Sequence, residues 1–196
     1  MEIKDIRVQR SHKRVKTVSA RLIQGVMHVS APNTMPQETL HAVIQRLKKR
    51  LEKNTLRRRL NTETDLTVAA QNLNQKYFDG KLRVVSIAYS TDQDRKYGVC
   101  KVSTGEILIS HRLSAMPDWV RDYVIVHELA HLIEPNHGKR FHALVMRYPL
   151  AERAKGFLMA KGFDEATDTP AAGPAEEAPI SKAPARHNLG DGRGLE

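Results

Sequence analysis

The chain holds one cysteine, Cys100, among 196 residues. That number excludes an intramolecular disulfide and a four-cysteine zinc ribbon. A lone thiol suits a reducing compartment, and a cytoplasmic location is the expectation. Aromatic residues are also scarce, at 5%, which argues against a surface on which successive bases stack. No apolar run approaches the roughly 20 residues of a membrane span, so no membrane partner is expected. The opening Met1-Glu2-Ile3-Lys4-Asp5 has no apolar stretch of the kind a secretory signal needs. No internal repeat is evident.

What the chain does have is the composition of a soluble globular protein, 40% hydrophobic and 28% charged. Its length suits one domain with a sizeable core, or one domain and a tail. The net charge of +10 predicts acidic partners without identifying them, since a basic surface can attract nucleic acid, acidic protein or membrane headgroups.

Residues 3–32 have the alternation of strands. Residues 17–23 and 26–30 flank Gln24-Gly25, a hairpin turn, and Pro32-Asn33-Thr34 follows as a stop and a cap for a helix. From about 35 to 53, Leu40, Val43, Ile44, Leu47 and Leu51 recur at helical spacing. A second helix is expected from Asn61-Thr62 to Asp79-Gly80, burying Leu66, Ala69, Ala70 and Leu73. Strands are expected over 83–89, 97–102 and 106–110, the last two joined by Ser103-Thr104-Gly105. A third helix is predicted over 117–133, with Pro117 in its first turn, and a fourth from Lys139, broken or restarted at Pro149. Residues 164–196 are rich in Pro, Ala and Gly with little to bury, and read as a disordered tail behind a domain of residues 1–163.

The chemistry is concentrated at residues 127–131, His-Glu-Leu-Ala-His. On a helix, positions i and i+4 share a face, so His127 and His131 can bind one zinc ion. Glu128, displaced by one residue, lies beside the metal and can take a proton from water that the metal activates. A catalytic zinc needs a third protein ligand and one open position. His137 is the candidate. Pro135 stops the helix, Asn136 tolerates a left-handed turn, and the chain can then fold back onto the metal. The competing reading is a pair of solvated surface histidines beside a charged neighbour. It leaves the helical placement, the breaker and the third histidine as coincidences.

Residues 123–131, Tyr-Val-Ile-Val-His-Glu-Leu-Ala-His, followed by Pro135-Asn136-His137-Gly138-Lys139-Arg140-Phe141, resemble the YgjP-like metallopeptidase family, itself related to SprT-like proteases. The segments Tyr97-Gly98-Val99-Cys100 and Asn74 to Leu82 share the resemblance, as does the basic stretch Arg10 to Lys16. Tyr97 and Val99 stand where the family carries tryptophan and serine. The resemblance runs over about 10–163. It implies an α+β, zincin-like fold with a small mixed sheet beside the active-site helix. It also implies Zn2+ held by His127, His131 and His137, Glu128 as catalytic base, and a peptide or protein substrate.

A glutamate as third ligand would instead use Glu152, since Glu134 lies too close on the helix. The metzincin pattern has glycine where this chain has Glu134. His142 reads as an ordinary helix residue, and Arg140, Tyr97 and Tyr148 as oxyanion candidates for which packing duty is favoured. Cys100 reads as a small buried strand residue. Residues 106–110 read as an edge strand for an extended substrate. The runs Lys48-Lys49-Arg50 and Arg57-Arg58-Arg59 read as solvated helix faces. The rival to a peptidase is a basic, nucleic-acid-associated protein whose zinc is structural.

Overall fold

The structure is a computed structural model describing residues 3–93 and 95–162. The expected tail, 164–196, lies outside the described residues. The fold is α+β, with two small three-stranded sheets and five α-helices among the described residues.

The first sheet contains β1 (Asp5–Ser11), β2 (Ser19–Ile23) and β3 (Val26–Pro32), in the order β1-β3-β2. β2 and β3 are antiparallel, and β1 runs parallel to β3. The hairpin forms at the predicted place. Gln24 and Gly25 both take positive φ, 48° and 84°, the handedness that matches strand twist in a two-residue turn.

The helix that follows differs from expectation in start, cap and length. α1 spans Gln37–Glu63 without a break, and its N-cap is Pro36, with no side-chain cap bond. Residues 32–34 therefore end the strand but do not cap the helix. The helix continues through Lys53 because residues 54–60 hold no Gly or Pro to stop it. Its apolar stripe steps by five between Leu51 and Leu56, which rotates the stripe by about 140°. The rotation has a cause in packing. Leu40 and Ile44 join Met27, Val29 and Ala31 in a core under the first sheet, while Leu60 joins a second, larger core.

α2 (Leu66–Phe78) starts later than expected. Its N-cap is Asp65, whose carboxylate accepts from the Thr67 and Val68 amides. It ends as predicted, at left-handed Asp79 followed by Gly80 with φ 69°. Asn74 then grips the exit, its side-chain amide bonding both the N–H and the C=O of Leu82.

The second sheet contains β4 (Ser86–Ser90), β5 (Gly98–Lys101) and β6 (Glu106–Ser110), in the order β4-β6-β5. β6 is therefore central, not an edge. It pairs parallel with β4 and antiparallel with β5, and Ile107 and Ile109 are fully buried. A 3-10 turn, His111–Ala115, leads to α3 (Asp118–His131), where Pro117 is the N-cap residue. α4 (Lys139–Val145) and α5 (Ala151–Ala160) follow on either side of Pro149. α3 packs against α2, β5, α4 and α5 and is enclosed on almost every face.

Candidate metal centre

The enclosure of α3 determines the setting of its last turn. His127, Glu128 and His131 are 2%, 1% and 1% exposed. They do not face solvent, and the reading of two solvated surface histidines fails. After α3 the chain turns through Glu134-Pro135-Asn136 and delivers half-buried His137 to the same place. Asn136 is not left-handed, contrary to expectation. Among the described non-glycine residues only Gln24 and Asp79 have positive φ.

Each of His127, His131 and His137 offers a ligand atom, and these atoms all lie within 4.8 Å of one another. The three rings form a nearly equilateral triangle, with centroids 5.0, 5.1 and 4.9 Å apart. Phe141, on the first turn of α4, packs against all three at 4.5–4.8 Å. His131 Nδ1 lies 3.3 Å from the Glu134 carbonyl oxygen. A carbonyl can only accept, so Nδ1 carries the proton and Nε2 is left with its lone pair. That Nε2 is 3.1 Å from His137 Nε2. Three imidazoles converging in this way form a donor set that fits a borderline divalent metal ion.

The Glu128 side chain lies against β5. A Cβ built on Gly98 would fall 2.7 Å from Glu128 Cδ and 2.8 Å from Cγ, too close for any side chain there. Cys100, two residues on and on the same face of the strand, is fully buried. Burial pushes its thiol up to about 12, with the Glu128 charge adding to the rise. The thiol is thus held neutral beside the carboxylate. β5, not β6, is the strand that lines this centre. Among the described residues it pairs on one side only, with β6.

The remaining candidates do not join the cluster. Glu134 contributes its carbonyl, while its carboxylate lies 3.9 Å from Arg140 Nε. Glu152 is exposed on α5, where it borders a small cavity with His127 and Phe141 but stands outside the ligand group. His142 is exposed and meets the Phe141 ring edge to face, with centroids 5.9 Å apart. The Arg140 side chain is turned outward. Tyr97 is buried; its hydroxyl accepts from Arg112 at 2.6 Å and donates to the Lys161 carbonyl at 3.3 Å. The Tyr148 hydroxyl donates to the Trp119 carbonyl, and burial pushes its pKa up to about 12. Met146 is the C-cap of α4 and borders the same small cavity as His127. Sequence reasoning missed Gly98 and Phe141. Phe141 stands four residues past His137 on a helix start, a spacing that signals contact. Gly98 stands in a segment that shares the family resemblance, but nothing in the sequence ties it to Glu128, 30 positions away.

No helix among the described residues is long and apolar enough to cross a membrane. No curated protein matches the chain. Among solved structures it is similar to the metallopeptidase zymogen abylysin of Pyrococcus abyssi. That similarity has 18% identity and a TM-score of 0.44, over 50% of this chain and 94% of that chain. Over residues 80–159, the stretch that contains β4 to β6, α3, α4, the three histidines and Glu128, the chain is similar to the family described as YgjP-like, metallopeptidase domain.

Proposed function

We propose that the chain is a zinc-dependent peptidase, with His127, His131 and His137 as metal ligands and Glu128 as general base. One observation carries this reading. Three imidazole donors lie within 4.8 Å of one another, and the buried carboxylate of Glu128 follows the first of them in sequence. The similarity of residues 80–159 to metallopeptidase domains supports the same chemistry. Residues 1–163 form the working domain in this reading, and the single cysteine supports a cytoplasmic setting.

Zinc bound there would polarise the scissile carbonyl and lower the pKa of water. The chain's own residues would do the rest. The Glu134 carbonyl orients His131 by holding its Nδ1 proton. Phe141 packs against all three rings, which limits their motion. Glu128, held against Gly98, takes the proton from the attacking water and returns it to the leaving amine. An extended substrate chain can lie along the open side of β5, so that its scissile bond passes Glu128.

Metal content of the purified chain, measured by inductively coupled plasma mass spectrometry, is the first test. About one zinc per chain is expected, with most of it lost in His137→Ala. Zinc fully retained in that variant would move the third ligand elsewhere, with Glu152 the next residue to change. Glu128→Gln is expected to keep the metal and to lower hydrolysis of a casein substrate by about 10²–10⁴-fold. Undiminished turnover in Glu128→Gln would remove the carboxylate from the mechanism.

A further inference from the structure

A cleft of about 950 Å³ opens between β2 and the second half of α1, far in sequence from the histidine centre. Its β2 wall is made of four consecutive residues, Ala20, Arg21, Leu22 and Ile23. Side chains on a strand alternate between faces, so four in a row line a cavity only when the strand presents its edge. β2 is indeed an outer strand, paired only with β3 among the described residues. Its opposite edge therefore offers backbone N–H and C=O groups to the cleft.

The chemistry around that edge has two parts. Arg57, Arg58 and Arg59 of α1 and Arg21 of β2 supply four exposed guanidinium groups, against one acid, Glu63, which lies 3.7 Å from Arg59. Leu22, Ile23 and Leu51 supply aliphatic surface, and Ile23 is 52% exposed. The surrounding module concentrates the charge of the whole chain. Residues 1–63 hold 15 Lys and Arg and five Asp and Glu, which equals the full net charge of +10. The module has its own core and lies outside residues 80–159.

We infer that this cleft docks an acidic polypeptide segment bearing aliphatic side chains, which adds to the sheet as a strand beside β2. Each part of the cleft has its complement in such a segment. The backbone edge pairs with an extended main chain. The guanidinium groups pair with carboxylates, each able to make two parallel hydrogen bonds. The aliphatic surface covers leucine or isoleucine side chains. A nucleic acid would match only the charge. Its sugar–phosphate backbone offers nothing to a strand edge, and residues 1–63 contain no Phe, Trp or Tyr on which a base could stack. The inference does not depend on the peptidase reading, and binding is measured without turnover.

The test is fluorescence anisotropy of the full chain with a labelled peptide of about 12 residues alternating Glu and Leu, long enough to span the strand. Micromolar binding is expected at about 50 mM salt, weakened at least about tenfold near 300 mM. Arg57→Glu with Arg58→Glu is expected to weaken it at least about tenfold as well. These residues are exposed, so the fold should tolerate the change, and far-ultraviolet circular dichroism checks it. Ile23→Ser is expected to weaken the peptide several-fold and to leave any binding of a 20-base-pair DNA duplex (about two helical turns) unchanged. A duplex bound as tightly as the peptide, with no effect of Ile23→Ser on either, would overturn the inference in favour of a simple polyanion site. Peptide binding that appears only after Asp164, Glu165, Asp168, Glu176 and Glu177 are changed to amides would overturn it in favour of the chain's own acidic segment. No peptide binding at low salt would end it.

Discussion

Gly98 and Glu128 show how closely the candidate centre is built at the scale of single residues. Any side chain at Gly98 would overlap the glutamate carboxyl group. Gly98→Ala is therefore expected to move that carboxylate by about an ångström while leaving the three histidines in place. A misplacement of that size costs on the order of 10²-fold in rate. The measurement is kcat for peptide hydrolysis alongside zinc content. A fall in kcat with zinc retained is the expected outcome. Equal loss of both would mean that the strand, and not the carboxylate, had been displaced. Glu128 was legible in the sequence because it stands one residue from His127. The glycine that makes room for it was not, because the contact joins a strand to a helix.

At the scale of elements, one asparagine side chain acts as a substitute for a missing strand partner. Asn61, near the end of α1, donates to the Tyr89 carbonyl at 3.1 Å and accepts from the Tyr89 amide at 2.7 Å. Tyr89 lies on β4, whose outer edge has no strand beside it among the described residues. The asparagine both satisfies that edge and ties α1 to the second sheet, which blunts pairing with another chain. Asn61→Ala leaves one donor and one acceptor without these partners. The expected cost is about 1–3 kcal/mol, read as a fall in the thermal unfolding midpoint. An unchanged midpoint would mean that water replaces the amide at no cost. The sequence reading placed a helix start at Asn61, since Asn and Thr are common caps. The structure uses the same residue as a tie between elements. Local preference cannot separate these roles, because a cap and a long-range clamp call for the same side chain.

At the scale of the whole molecule, one long helix joins two hydrophobic cores. The smaller contains Met27, Val29, Ala31, Leu40 and Ile44, and the larger surrounds α3 and the second sheet. Met27 is fully buried in the smaller core, so Met27→Ala should cost about 2–5 kcal/mol there. Hydrogen exchange is expected to speed up in β1 to β3 and the first half of α1, while α3 keeps its protection. Equal loss of protection in α3 would show that the two cores unfold as one unit. The separation also assigns the chemistry. The basic charge sits with the smaller core, and the histidine centre sits in the larger.

The sequence by itself determined everything that depends on near neighbours. Gln24-Gly25 signals a hairpin because Gly25, between two runs of strand-forming residues, takes positive φ without strain. Asp79-Gly80 ends α2 by the same backbone freedom, and Pro149 separates α4 from α5. His127, Glu128 and His131 were legible because helical geometry alone brings them together, and His137 because a proline two residues earlier stops the helix. Only the tertiary structure decided what depends on partners distant in the chain. It made β6 central and left β5 on the edge beside Glu128. It carried α1 unbroken from one core into the other, and it left an edge of β2 open beside three arginines. Strand order and inter-element contact are settled by packing between segments whose local preferences are satisfied equally well in several arrangements.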